Sequence, residues 1–517
     1  MKRRRIDVNL KELDQVLEGA RQAPLTDPDY EKLKTALHAL VDALTPSRTT
    51  EKTGSVLGKK DEPPSQPEGE SKGTEDQSAG AKAPGHGRKG SAAFESAQKV
   101  ETKHQQLKPG DACPECPNGK VYAQKEPKTL IRIVGQAPIQ ATVHELERLR
   151  CNLCGQVFTA EPPEGVGPEK YDETVASMVA QLKYGSGMPF NRLEDLERRL
   201  GVPLPASTQW EIAEEAADLL KPAHEELIRQ AAQGEIFHND DTSMKVLKLE
   251  RPEGDTRTGV FTTGIVSVTS EGHKIALFMT GRQHAGENLG DVLEHRDRGR
   301  GAAIQMCDAL SRNVPKLAAG VEILLANCNA HGRRNFVEVA PNFPEECRFV
   351  LETLGEVYGH DALARDQGLT PDARLKLHQE KSGPLMEQLH QWMTDQLNGH
   401  KTEPNSGLGK AMTYLLRHWR PLTLFLRQAG APLDNNLVER AIKKAVLHRK
   451  NALFYRTING AQVGDLFMSL IHTCDLNKVN SFDYLTELQR HAAKLLANPA
   501  DWMPWNYRDT MDRIADG

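Results

Sequence analysis

The chain has 517 residues and a mass of 57.3 kDa, a length that suggests roughly three or four domains. With 38% hydrophobic and 5% aromatic residues part of it is expected not to pack, and no apolar run approaches the ~18–20 residues of a membrane span, which excludes an integral membrane protein. A net charge of −5 and a pI of 6.4 exclude a protein that is basic overall, but leave room for a local basic face that binds nucleic acid.

The start, MKRRRIDVNLKELD, has a basic cluster without the apolar stretch of a secretory signal. Leu10, Leu13 and Leu17 fall at helical spacing, and Tyr30, Leu33, Leu37, Leu40 and Leu44 step by 3, 4, 3, 4. This predicts an N-terminal helical segment over 1–45, either packed on its own chain or forming a short dimerising coiled coil. Residues 51–100 carry 8 Gly, 6 Ser and 4 Pro, with Val56, Leu57, Phe94 and Val100 as the large apolar side chains. Such a stretch cannot offset its ordering entropy, so 46–108 reads as a disordered linker.

Eight cysteines are too few for a disulfide scaffold, and four of them form two CxxC pairs, Cys113/Cys116 and Cys151/Cys154, which points to metal in a reducing cytoplasm. A CxxC turn presents two sulfurs from one knuckle, and Zn²⁺ prefers four thiolates in a tetrahedron. The 34 residues between the pairs are rich in β-forming side chains, so 109–162 is expected to be a zinc ribbon with a structural Zn²⁺. Residues 168–232 then read as helices: Tyr171–Tyr184, a second around Phe190, Leu193 and Leu196, and a long one capped by Ser207. The pattern suits a helical DNA-binding segment of helix-turn-helix shape or an equally plausible structural hairpin, since the long helix is acidic after Trp210.

At 235 the period changes from 3.6 to 2. EIFHND (235–240), GVFTTGIVSV (259–268) and HKIALFMTG (273–281) predict a strand and a hairpin around Ser270-Glu271-Gly272. A helix (GENLGDVLEH) follows, then a strand ending at Asp308 (302–308) and another at 321–331 that enters a helix near Gly332. Acids at strand ends in this order suggest an RNase H-like core whose first part spans 233–339, because strand-end carboxylates converge at one edge of an open sheet. Two-metal phosphodiester chemistry needs such a group of carboxylates. Asp240 and Asp308 supply two. Glu439, on a helix that starts at the Asp434/Asn435 caps, is the best third. The 131 residues from Asp308 to Glu439 hold several helical patterns, so 340–430 is expected to be a helical insertion with Trp392 and Trp419 in its apolar seams. The core is then completed over 431–485, and 486–517 remains as a C-terminal tail.

HNDDTSMKV (238–246), IQMCDALSRN (304–313), CNAHGRRNF (328–336) and LDNNLVERAIKKAVLHRKNALFYRTINGA (433–461) together resemble the bacterial insertion-sequence-66 family of DDE transposases. The N-terminal zipper-like helix and the CxxC pairs extend the resemblance to nearly the whole chain outside the linker. Transferred motif by motif, it implies that Asp240, Asp308 and Glu439 are catalytic and hold two Mg²⁺ ions. The stretch at the second acid reads QMCDALSRN where the family commonly has Q-x-D-G-Y-x-x-Y. Asp241 is an acidic neighbour of Asp240, but alternation along a strand turns the two to opposite faces, and the family pattern favours Asp240.

Lys443, Lys444, His448, Arg449, Lys450 and Arg456 follow Glu439 with no acid between, and Arg333 and Arg334 follow the strand at 321–331. These are the expected phosphate contacts. His238 and His331, close to the acids in sequence, are expected to be structural or to help position DNA. The function expected is that of a cytoplasmic transposase, with DNA (element ends and target) as partner, a homo-oligomeric assembly, small accessory proteins of the element as further partners, and no membrane. The alternative is a non-catalytic DNA-binding protein derived from one.

Overall fold

The computed structural model describes residues 103–516, apart from 104–105, 116–117, 125–129, 131–135, 155, 168, 250–255 and 318–319. The expected N-terminal helical segment and nearly all of the expected linker lie outside the described residues. Among the described residues, those up to Thr142 and those from Val143 onward belong to separate units. In the first, Cys113 sits in a tight turn: its N–H donates to Gly119 O at 2.8 Å, beside a bridge between Ala112 and Lys120. In the second, β1 (Arg148–Arg150) and β2 (Val157–Thr159) form an antiparallel hairpin. Cys151 and Cys154 lie in its loop, which is closed by Cys151 N donating to Gln156 O at 2.9 Å. Each knuckle therefore has a backbone-locked turn, while Cys116 lies outside the described residues.

Three helices follow: α1 (Glu173–Ala180), α2 (Phe190–Arg199) and α3 (Ala206–Ala232). The first is shorter than its apolar pattern, because Asp172 Oδ1 accepts the N–H groups of Thr174 and Val175 and sets the start. It ends in a π-turn over Gln181–Gly185. Ser207 is not the cap of α3. The helix starts after Pro205, with Glu194 Oε2 accepting the Ala206 N–H at 3.2 Å, and Ser207 lies inside the first turn. Its apolar stripe, Ile212, Ala213, Ala216, Leu220 and Leu227, is buried. The 168–232 segment is thus packed into the same body as the sheet.

That sheet has five strands, in the spatial order Lys274–Gly281, Phe261–Val268, Ile236–Ser243, Ala303–Cys307, Ile323–Asn327. Strands β3 (Ile236–Ser243), β5 (Phe261–Val268) and β6 (Lys274–Gly281) form an antiparallel meander; short β4 (Val246–Lys248) lies outside it. After α4 (Ala285–Leu293), β7 (Ala303–Cys307) joins β3 in parallel, and β8 (Ile323–Asn327) joins β7 in parallel. The last expected strand therefore ends sooner than the pattern suggests. Helix α5 (Asn329–Val339) begins with Cys328 as its N-cap, so Gly332 is helical and does not mark a start. Gly332 packs closely against the helix over Gly407–Arg417: a Cβ there would lie 2.5 Å from Leu415 Cδ2, so that side chain would have to shift.

The long connection to Glu439 is helical, as the pattern predicts: α6 (Pro344–Asp366), α7 (Pro371–Leu377), α8 (Gly383–Asn398), α9 (Gly407–Arg417) and α10 (Trp419–Leu422). These bury Leu351, Leu354, Leu389, Met393, Met412 and Phe425 in one cluster with Met306 and Ala326 of the sheet. Trp392 packs on Phe349 and Trp419 on His390, each pair with ring centroids 4.8 Å apart. Then come α11 (Asn436–Ala452), β9 (Tyr455–Thr457), which pairs with β4, and α12 (Ile458–Leu476).

Helix α12 closes the β6 edge of the sheet with side chains. Asp465, Ser469, Thr473 and Asn477 accept the N–H groups of Thr280, Phe278, Ala276 and Lys274 at 2.6, 2.9, 3.0 and 3.2 Å. Four helical residues rise about 6 Å and two strand residues about 6.8 Å, so the two ladders stay in step. This satisfies an edge that would otherwise be free to pair with another chain. The residues expected as a C-terminal tail are structured: α13 (Ser481–Arg490), α14 (Ala492–Ala497) and α15 (Tyr507–Asp516). Leu495, Trp502, Met503 and Tyr507 are buried, and the segment packs on α3.

Candidate active site

The parallel pairing of β3 with β7 sets Phe237 against Gln305 and His238 against Met306. Two residues further along each chain, Asp240 and Asp308 come level. Asp308 lies just past β7 as expected, whereas Asp240 is inside β3, which runs on to Ser243 because its antiparallel pairing with β5 continues that far. Asp240 is also paired with Gly264 on β5, where α11 crosses the sheet. A Cβ on Gly264 would lie 2.8 Å from Ile442 Cδ1, so the glycine lets the helix approach and brings Glu439, in its first turn, over β3.

The start of α11 is pinned by the two residues before it. Asp434 Oδ1 accepts the Asn436 N–H at 3.0 Å. Fully buried Asn435 receives a hydrogen bond from His238 Nδ1 at 3.1 Å and donates through Nδ2 to Asn239 O at 3.1 Å. Its backbone N–H donates to Cys328 Sγ at 3.2 Å. Burial pushes the His238 ring down to about 4, so it is a neutral donor in this network. His238 is accordingly structural.

Asp308 lies just past β7, and Asn313 aims it: Asn313 Nδ2 donates to Asp308 Oδ1 at 2.5 Å, and the Leu310 N–H donates to the same oxygen at 3.1 Å. Asn313 is held in turn, its carbonyl accepting from Asn239 Nδ2 and Gln305 Nε2, both at 2.7 Å. The ALSRN stretch that departs from the family pattern thus builds a short 3₁₀ turn over Ser311–Asn313 that orients the acid.

Burial, the Asp308 charge and the charges of Asp241 and Glu439 push the Asp240 carboxyl up to about 7, against one backbone N–H, that of Asp241, that favours its ionised form. Asp241 faces elsewhere. Its Oδ2 is 2.9 Å from His284 Nδ1 and its Oδ1 is 3.3 Å from Arg312 Nη2, with the side chain 2% exposed. On the other side of Glu439 lies His331, with Nδ1 3.8 Å from Glu439 Oε1. Neither atom has a hydrogen-bond partner although both are buried. Cys328 Sγ completes a group whose ligand atoms all lie within 4.8 Å of one another.

The basic residues divide. Arg449 is committed inward, with Nη1 donating to Thr242 Oγ1 at 2.9 Å and Ser243 Oγ at 2.8 Å and also bonding Ser243 O. His448 is buried, 3.1 Å from Lys183 Nζ and stacked on Tyr455. Lys444 Nζ is 3.7 Å from Asp475. Lys443, Lys450 and Arg456 are exposed, and Arg333 and Arg334 are half-buried on α5. Sequence reasoning did not find Asn239, Gln305 or Asn313 as positioning residues, and named Asn435 only as a helix cap. Their one signal is that each amide lies within five residues of one of the acids, in HND, IQMCD, DALSRN and DNN.

A family model described as Transposase IS66 family matches residues 170–463, more than half of the chain and all of this site. The chain belongs to that family. It is similar to uncharacterized proteins of Sinorhizobium fredii. Protein y4hP is 25% identical over 435 residues, covering 79% of this chain and 76% of that one. Protein y4jD is 32% identical over 189 residues, 36% of each chain. Protein y4qI is 25% identical over 356 residues, 65% of this chain and 62% of that one. Membership of a transposase family carries with it DNA as the partner and, in general, a divalent metal. Among the described residues, no helix is long and apolar enough to cross a membrane.

Proposed function

We propose that this chain is the DNA-cleaving and DNA-joining enzyme of an insertion sequence, with Asp240, Asp308 and Glu439 as its catalytic carboxylates on an RNase H-like core. The observation that carries the reading is that Asp240 and Asp308 come level along the neighbouring parallel strands, with Glu439 in the first turn of the helix that crosses β3. Burial and the charges of Asp308, Asp241 and Glu439 push the Asp240 carboxyl up to about 7. Like charges gathered where β3 passes the end of β7 are unfavourable unless something balances them, and hard oxygen donors of this kind fit a divalent cation such as Mg²⁺. Two such ions held by the three carboxylates would stabilise the attacking and leaving oxygens of an in-line displacement.

The chain's own contribution is placement. Asn313 fixes the Asp308 carboxylate, Asn435 locks the helix carrying Glu439 to β3, and Gly264 admits that helix. Lys443, Lys450, Arg333 and Arg334 would hold phosphates without reading sequence, with lesser parts for Lys444 and Arg449, which already have protein partners. One displacement hydrolyses a strand at the element's end; in the next, the freed 3′-OH attacks target DNA. Cys113, Cys116, Cys151 and Cys154 would hold a structural Zn²⁺, and the assembly on DNA would be homo-oligomeric.

The test is an end-labelled oligonucleotide carrying the element's terminus, incubated with the full chain and Mg²⁺. Cleavage followed by joining is expected. Cleavage without joining indicates a nuclease on the same core. Binding without either product indicates a non-catalytic DNA-binding derivative and overturns the proposal.

A further inference from the structure

We infer that Cys328, His331 and Glu439 form a second metal site, selective for a borderline-soft ion of the Zn²⁺ type, that shares Glu439 with the carboxylate group of β3 and β7. The sharing rests on the function proposed above; the site does not. Cys328 caps α5 and His331 lies in its first turn, so one helical start presents a sulfur and an imidazole nitrogen to the same side. Helix α11, pinned by Asn435, brings Glu439 against them. The three ligand atoms lie within 4.8 Å of one another, and tetrahedral zinc needs them roughly 3.3–3.8 Å apart. Closing that gap takes small side-chain rotations.

Two features point to an ion. His331 Nδ1 and Glu439 Oε1 are both buried and both lack a hydrogen-bond partner, at a separation of 3.8 Å that is too long for them to satisfy each other. Cys328 Sγ, 1% exposed, receives the Asn435 N–H at 3.2 Å and faces the His331 N–H as well, the backbone donation that stabilises a metal-bound thiolate. On binding, Cys328 gives its proton to solvent and His331 ligates as the neutral ring. A thiolate, an imidazole and one carboxylate suit Zn²⁺ or Co²⁺, whereas Mg²⁺ selects oxygen alone. With three protein ligands, the fourth position is left to water. Occupancy draws on Glu439, so zinc and Mg²⁺ compete for one carboxylate.

The experiment measures bound zinc per chain in the full-length protein after equilibrium dialysis, for wild type, Cys328→Ser and His331→Gln. A cobalt-substituted series reports the thiolate-to-cobalt charge-transfer band. Both variants should hold one equivalent of zinc fewer than wild type, independent of any ion on the CxxC pairs. The cobalt band should fall in Cys328→Ser, and His331→Gln should lower cobalt affinity by at least about tenfold. Circular dichroism and melting identify a variant that has not folded, and the other variant then decides. Equal zinc content in wild type and a folded variant overturns the site. Glu439→Gln separates the two proposals. If it loses the extra zinc yet cleaves normally, this site stands and the catalytic assignment fails. If it retains the extra zinc at wild-type affinity, Glu439 is not a ligand and this proposal is overturned.

Discussion

Asp240 and Asp465 are both aspartates pushed up to about 7, chiefly by burial, yet they occupy opposite kinds of environment. Asp465, on α12, has both oxygens bonded: Thr280 N donates at 2.6 Å and Thr280 Oγ1 at 2.7 Å. It is one rung of the ladder that seals the β6 edge. Asp240, in the middle of the sheet, accepts a hydrogen bond from the Asp241 N–H and faces the charges of Asp308 and Glu439. A raised carboxylate that is fully hydrogen-bonded is a structural anchor. One that is raised among other carboxylates is a place where a cation is expected. The shift is alike in both; the company is what differs.

The largest effect that would break this contrast is on chemistry. Glu439→Gln and Asp240→Asn should each lower Mg²⁺-supported strand cleavage by several orders of magnitude, since each removes a negative charge and a hard donor. Gel-shift binding to the element's end should stay near wild type. Asp465→Asn should leave cleavage rates unchanged, and a comparable loss there would erase the distinction.

Next comes the pH dependence of stability in the presence of a chelator. A carboxyl whose folded pKa is raised to about 7 favours the fold when protonated. The folded state then binds more protons than the unfolded one between about pH 4 and pH 7, and stability falls as pH rises through that window. Asp240→Asn should remove its share of the loss, on the order of a few kcal/mol. The variant should melt higher than wild type at pH 8 and at the same temperature at pH 4. Adding Mg²⁺ should close the difference at pH 8.

Smaller effects sharpen the structural side. Asp465→Ala leaves the Thr280 N–H buried without an acceptor and should cost about 1–3 kcal/mol in urea denaturation, against less than about 1 kcal/mol for the near-isosteric Asp465→Asn. The smallest expected change separates two lysines on α11. Lys443→Ala should lower the log–log salt slope of DNA binding by about one. Lys444→Ala should lower it by less, because that ammonium already lies 3.7 Å from Asp475.

Local pattern carried much of the fold. Alternation over 235–240, 259–268 and 273–281 marks the meander, the apolar run before Asp308 marks β7, and the seams between 340 and 430 mark the helical connection. Caps and periods depend on near neighbours in the chain, so they are readable without a structure. The boundaries that moved did so for long-range reasons. Glu194 helps start α3, so Ser207 does not cap it. Gly332 sits inside α5 because the helix already starts after Cys328, whose sulfur accepts the N–H of distant Asn435.

By itself the sequence determined where the acids stand, at Asp240, Asp308 and Glu439, and the family motifs around them. Tertiary structure decided what each side chain meets. Asp241 turns to His284 and Arg312, Arg449 and His448 turn inward from a run that reads as uniformly basic, and Asn313 aims an acid from five residues away while Asn435 ties its own helix to a strand almost two hundred residues away. Residues 486–517 read as a tail yet bury Trp502. The physical reason is that charge and periodicity belong to the chain, whereas desolvation and hydrogen-bond partners depend on distances that only packing sets.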